Sequence, residues 1–183
     1  MKKMPFVSET DNEKTLKNVL DKDGVCSGGK FLTFFLGSEE YGIEILKVQE
    51  IIGLLEITPV PRTPKFVRGV INLRGHIISV IDLRLKFDMP SADYGEMTCT
   101  IVVMAGNLIM GLIVDRVSEV IDIPSNDIEQ TPAFGTLVDT RYLLGIGKHA
   151  GKVKLLLNIE RVLSDDEIQK VMAINQNFKE NAE

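Results

Sequence analysis

The sequence of 183 residues contains no tryptophan, two cysteines and two histidines. Cys26 and Cys99 form no C-x-x-C pair and are too few for a disulfide framework, so a reducing compartment, the cytoplasm, is the default expectation. Neither His76 nor His149 has a cysteine or a second histidine at ligand spacing, which argues against a dedicated zinc site. Positive charge is also short: 21 Lys and Arg stand against 26 Asp and Glu, a net charge of -5. A nucleic-acid binder normally carries a basic surface, so that class is disfavoured. No apolar run reaches the ~18 residues of a membrane span. The opening MKKMPFVSETDNEK turns polar without an apolar core, so no secretory signal peptide is expected.

Residues 1–30 are polar and broken by glycine, and read as a mobile tail. From Phe31 to Leu163 the pattern changes to short runs rich in Val, Ile and Phe between Gly, Pro, Asn and Asp. Among them are FLTFFLG, GVINLR, HIISVIDL, CTIVVMAG and GKVKLLLNI. Such spacing predicts an all-β sandwich or barrel. Ser164 and Glu167 form a capping box, followed by Ile168, Val171 and Met172 at helical spacing, which predicts a C-terminal helix within 164–183 that frays near its end.

An internal repeat organises the β region. YGIEILKVQEII (41–52) answers MGLIVDRVSEVI (110–121), with Gly42 on Gly111 and Glu50 on Glu119. RGHIISVIDL (74–83) answers AGKVKLLLNI (150–159), with Gly75 on Gly151 and Asp82 on Asn158. Two similar units follow, 31–97 and 98–163, sharing a buried face, with strands free to cross between them. Each is too small to hold a large core alone.

GVINLRGHIISVIDLR (69–84) carries the densest signal. VINL is a strand, Arg74-Gly75 a turn and HIISVIDL the return. On the return, Ile77, Ile81 and Leu83 share one face, and Ile78 and Val80 the other, so burial on both sides is expected. Asp82 and Arg84 are spaced to pair locally. Upstream, Thr63 as N-cap and Pro64 at the first helical position would start a helical turn ended by Gly69. Six basic residues (Arg62, Lys65, Arg68, Arg74, Arg84, Lys86) and one acidic residue lie between Pro61 and Lys86, whereas six acidic residues and only Arg116 lie between Asp115 and Asp139. Opposite local charge of this kind suits oppositely charged partner surfaces, including head-to-tail contacts.

Catalytic readings fare poorly. A small-molecule enzyme using Arg74, His76 and Asp82 would need all three together, yet His76 and Asp82 sit six residues apart on one strand, roughly 20 Å. GIGKHAGK (145–152) imitates a phosphate loop, but its glycines are one residue too far apart and Val153 stands where Ser or Thr would hold magnesium. A turn between strands is the better reading. Met97, Met104 and Met110 read as core filler.

GSEEYGIEILKVQEII, PVPRTPKFVRGVINLRG, SVIDLR and NIERVL resemble the CheW family, the adaptors of bacterial chemotaxis, and the resemblance spans about residues 31–175. It implies two packed SH3-like, five-stranded β-barrels with a C-terminal helix, no enzymatic activity and no cofactor. The implied partners are the regulatory domain of the histidine kinase CheA and the cytoplasmic tip of methyl-accepting chemoreceptors. The implied location is the cytoplasm, with recruitment to membrane receptor arrays. Carried over to this chain, Glu50 and Arg74 become the interaction determinants. Val48 and Ile51 add apolar contact to a receptor helix, and Arg68 and Gly75 shape the neighbouring surface. Where Ser79 lies the family often has proline, so Ser79 restores a backbone N–H that an extra ladder bond could use.

Overall fold

The computed structural model describes residues 27–131 and 140–181. Most of the tail 1–30, Cys26 and Asp139 therefore lie outside the described residues. Among the described residues eleven strands form two sheets. The first holds β1 (Gly28–Leu36), β2 (Glu39–Glu44), β8 (Arg116–Pro124), β9 (Ile128–Glu129), β10 (Leu143–His149) and β11 (Lys152–Leu157), in the order β8-β1-β2-β11-β10-β9. The second holds β3 (Val48–Gly53), β4 (Val67–Leu73), β5 (His76–Asp82), β6 (Cys99–Ala105) and β7 (Leu108–Val114), in the order β3-β6-β7-β5-β4. Among the described residues there are two α-helices, α1 (Leu83–Lys86) and α2 (Asp165–Asn181).

Three apolar clusters account for the packing. Phe31, Ile121, Ile123, Ile128 and Leu156 fill the inside of the first sheet. Ile71, Ile78, Val80, Val102 and Ile113 fill the inside of the second. The largest cluster joins both sheets and α2, with Phe34 and Ile43 from one side, Ile81 and Leu112 from the other, and Val171 from the helix. The return strand β5 behaves as its pattern predicts: Ile78 and Val80 face the inner cluster, and Ile81 faces the shared one. Each such burial contributes on the order of 1.5–3 kcal/mol.

The sheets do not follow the two sequence halves. Each takes the first two strands of one repeat and the later strands of the other. Each sheet joins the two halves twice, by an antiparallel pairing (β1 with β8, β3 with β6) and by a parallel one (β2 with β11, β5 with β7). At the parallel junctions Leu156 sits beside Gly42, and Val80 beside Gly111. The repeat thus places equivalent glycines where equivalent strands cross between barrels. A Cβ on Gly42 would approach Leu156 Cδ2 to 2.9 Å, and one on Gly111 would approach Thr100 Cγ2 to 2.7 Å.

The hairpins also repeat. Arg74 and Gly75 have φ of 51° and 85°, and Ala150 and Gly151 have φ of 50° and 73°. Two consecutive positive φ values match the strand twist of a two-residue hairpin. GIGKHAGK accordingly spans β10 and its turn. After each return strand a side chain caps the next turn: Asp82 accepts from the Arg84 N–H at 2.9 Å, and Asn158 from the Glu160 N–H at 3.1 Å.

Several sequence expectations are corrected. Gly28, Gly29 and Lys30, assigned to the tail, pair with Pro124, Ile123 and Asp122 and open β1. Thr63 starts no helical turn: its hydroxyl donates to the Val60 carbonyl at 3.0 Å, and the Val67 N–H closes a single turn on Pro64. Gly69 lies inside β4, where the Thr58 carbonyl oxygen would meet a Cβ at 2.1 Å, so it serves close backbone approach and not helix termination. Asp82 and Arg84 form no side-chain pair. Asp82 caps α1, and the Arg84 guanidinium instead holds Asp115 at 2.7 and 2.5 Å. The Ser79 N–H makes no ladder bond and donates to Oδ1 of Asn175 at 3.0 Å. Met110 is core, but Met97 and Met104 are 66% and 40% exposed. α2 runs regularly through Asn181 behind its predicted capping box, in which the Ser164 N–H donates to Glu167 at 2.8 Å and the Glu167 N–H to Ser164 Oγ at 3.3 Å.

Candidate partner-binding site

β3 is an edge strand, and it carries a bulge. Val48 pairs with Val103 and Glu50 with Val102, so Gln49 is one residue extra. A bulge bends its strand and re-aims the side chains around it. The equivalent strand β8 is bulged at the equivalent place, between the Leu32 and Phe34 pairings. On β3 the bulge directs the half-buried Glu50 toward the mouth of the second barrel, where the β4–β5 corner brings Arg74.

The corner is held in a demanding conformation. A non-glycine residue at positive φ costs roughly 1–2 kcal/mol, and Arg74 occupies the first turn position at 51°. The Gly75 N–H donates to Asn72 Oδ1 at 2.8 Å and secures the turn. Arg74 Nη1 and Nη2 then donate to Glu50 Oε1 and Oε2 at 2.9 and 2.5 Å. The guanidinium bonds hold the Glu50 carboxyl below the ordinary carboxylate range. Two of five guanidinium N–H donors are used, so the rest of the fork is free of Glu50 and faces outward.

A groove of about 390 Å³ adjoins the pair. Its floor includes Leu73, Ile78, Val102 and Ile109, its far wall includes Met172 and Asn175 of α2, and Glu50, Arg74 and His76 stand on its rim. Apolar floor and polar rims suit the apolar face of a helix.

The residues singled out in the sequence are only partly brought together. Glu50, Arg74 and Gly75 form one feature. Ile51 follows on β3, pairs with the fully buried Ile101 and is itself 45% exposed. Val48 packs against the shared core and offers only a partial surface. Arg68 lies at the opposite end of β4 from Arg74, about 20 Å away by strand rise, with its guanidinium 5.7 Å from the Tyr94 ring. Tyr94 in turn donates to Asp82 Oδ2 at 2.8 Å, and burial together with that bond pushes its hydroxyl up. Sequence reasoning missed the α2 wall. Asn175 in mid-helix, where asparagine is a poor helix former, was the available signal.

No catalytic constellation forms from the candidates. His76 and Asp82 occupy opposite ends of β5, and both Asp82 oxygens are engaged, by the α1 N–H groups and by Tyr94. Burial pushes the Cys99 thiol up, away from nucleophilic character. Among the described residues no cluster of His, Cys, Asp or Glu could hold a metal, and no helix is long and apolar enough to cross a membrane.

The barrels, their crossed strands and the rim define an interaction module, and comparison with known proteins places it. The model of the CheW-like domain matches residues 30–167. The chain is 43% identical over 148 residues to chemotaxis protein CheW of Klebsiella aerogenes, covering 81% of this chain and 89% of that one. It is 39% identical over 162 residues to chemotaxis protein CheW of Helicobacter pylori, covering 82% and 97%. The crystal structure of scaffolding protein TtCheW from Thermoanaerobacter tengcongensis superposes with a TM-score of 0.71 at 36% identity, covering 76% of this chain and 95% of that chain. This chain belongs to the CheW-like family. It is a non-enzymatic chemotaxis adaptor built on two SH3-like barrels.

Proposed function

We propose that the chain couples methyl-accepting chemoreceptors to the histidine kinase CheA from the cytoplasm, at membrane receptor arrays, by binding the receptor's cytoplasmic tip and the kinase's regulatory domain. The observation that carries the reading is the Glu50–Arg74 pair on the rim of an apolar groove. A receptor tip is a helical hairpin, and a helix laid in this groove would bury Leu73 and Ile109 while meeting the outward N–H groups of Arg74. Gly75 lets the corner come close, whereas Ile51, on the face of β3 opposite Glu50, would serve an apolar contact outside this groove. Val48 supports that strand from the core side, and Arg68 marks a separate surface at the far end of β4.

The basic stretch is smaller than its composition suggested, because Arg74, Arg84 and Lys86 are paired with Glu50, Asp115 and Glu167. Arg62, Lys65 and Arg68 remain as the candidates for an acidic partner surface. Titration calorimetry with a receptor cytoplasmic fragment and, separately, with the CheA regulatory domain tests the proposal. Saturable binding of both is the expected result, and failure of either removes the corresponding half.

A further inference from the structure

Ser79 stands at the first rung of the parallel ladder between β5 and β7, opposite Met110. Before that rung the two strands continue without pairing to each other, β5 from His76 and β7 from Leu108. The groove opens between them, lined there by Ile77, Ile78, Leu108 and Ile109. The carboxamide of Asn175 occupies the place of the next rung. Its Oδ1 accepts from the Ser79 N–H at 3.0 Å and from the Ser79 hydroxyl at 2.7 Å, and its Nδ2 donates to the Ile109 carbonyl at 3.3 Å. One acceptor toward β5 and one donor toward β7 is what a strand's own peptide group would offer. The neighbour on the other side cannot substitute, since the Val70 N–H and carbonyl are both bonded to Thr58. Ser79 is fully buried. Without Asn175 its N–H and hydroxyl would be left unpaired away from water, the costly case for a polar group.

The same helix carries the far wall of the groove. Met172 and Gln176 flank Asn175 on it, and all three line the groove. Val171 and Ile174 pack the helix onto the shared core, so the apolar contacts hold its inner face while Asn175 sets its register against the strand ends.

We infer that Asn175 is a positioning residue for partner binding: its carboxamide, spliced into the open end of the β5–β7 ladder, fixes the C-terminal half of α2 as the wall facing Glu50 and Arg74. The occupant is the helical receptor tip. Its apolar face meets the floor, and its polar flanks meet Arg74 on one rim and Gln176 and Lys179 on the other. The binding arm of the test rests on the proposed receptor binding, and the exchange arm does not.

The test uses the full chain carrying Asn175→Ala. Amide hydrogen exchange read by mass spectrometry follows the peptide 172–179, which should exchange about fivefold faster, while β4 and β6 stay protected. Titration with a receptor cytoplasmic fragment should show affinity about fivefold weaker. Ser79→Pro removes both donors, and combined with Asn175→Ala it should weaken binding no further than either change alone. Ser79→Ala keeps the N–H bond, should show the same two effects at smaller size, and carries both measurements if Asn175→Ala does not fold. Unchanged exchange over 172–179 overturns the inference. Faster exchange with unchanged affinity overturns the role of the wall. A wild-type chain that binds no receptor fragment removes the receptor half of the proposed function and with it the role of the wall, and exchange alone then decides whether Asn175 fixes the helix.

Discussion

Glu50 and Arg74 meet as a two-bond pair between a bulged edge strand and a hairpin corner, and the arginine side chain is the outer partner, 70% exposed against 27% for the glutamate. Holding Glu50 and touching a partner are therefore compatible roles for the same guanidinium. Exposed ion pairs contribute little to stability. Arg74→Ala should leave the thermal midpoint within about 2 °C of wild type while weakening receptor or kinase binding at least about tenfold, as loss of a charged contact at an interface centre does. Calorimetric titration and a thermal melt on the same preparation separate the roles. A midpoint several degrees lower with unchanged affinity would assign the pair to hairpin stability alone.

The crossed strands make a second prediction. Gly111 lies under two β-branched side chains, Thr100 at 2.7 Å and Val80 at 2.9 Å from a notional Cβ, whereas Gly42 lies under the flexible end of Leu156. Stiff neighbours cannot rotate away, and overpacking costs roughly 1–3 kcal/mol. Gly111→Ala should therefore destabilise more than Gly42→Ala, as read by the urea midpoint at constant slope. Equal midpoints would show that the parallel junctions tolerate a methyl group equally.

The repeat also ranks two substitutions at one position. Asn158 caps the turn after β11 as Asp82 caps α1, so the frame accepts either side chain. Asp82→Asn should keep the cap and most of the stability. Asp82→Ala should lose about 1–2 kcal/mol, because the cap goes and the Tyr94 hydroxyl loses its acceptor. Chemical denaturation of the two variants decides the order.

Much of this architecture was legible in the chain, and the illegible part has a common cause. Local signals succeeded: the turns at 74–75 and 150–151, the two-sided burial of β5 and the capping box at Ser164 all depend on neighbours within a few residues. Assignments that needed a distant partner failed. Arg84 sits two residues from Asp82, yet it pairs with Asp115, which the β7–β8 junction delivers. The Ser79 donor found a helix residue instead of a strand. Thr63 and Pro64 fitted the local rules for a helix start, but the chain closes only a single turn on Pro64 before β4, where Gly69 must admit the Thr58 carbonyl. At the candidate site, Glu50 and Arg74 were named through the family resemblance and the structure pairs them, while the α2 wall was not named, because nothing in the helical pattern says which strand ends the helix covers.

Asp115 yields a prediction about pH. Its Oδ1 accepts from Arg84 Nε at 2.7 Å, and its Oδ2 from Arg84 Nη2 at 2.5 Å and the Gly37 N–H at 2.7 Å. The Arg84 bonds, against an opposing effect of burial and with help from Gly37, hold its folded-state pKa below the ordinary aspartate value. A depressed folded pKa means that the contribution is complete above the unfolded value of about 3.9 and disappears as pH falls through the lower folded value. Asp115→Asn should therefore be less stable than wild type near neutral pH, with the gap narrowing below about pH 4 as wild type alone loses the ionised form. Urea midpoints measured from about pH 7 down to about pH 2 read this directly. Parallel curves for the two proteins would mean that the Arg84–Asp115 bond is not what couples the barrel junction to acid.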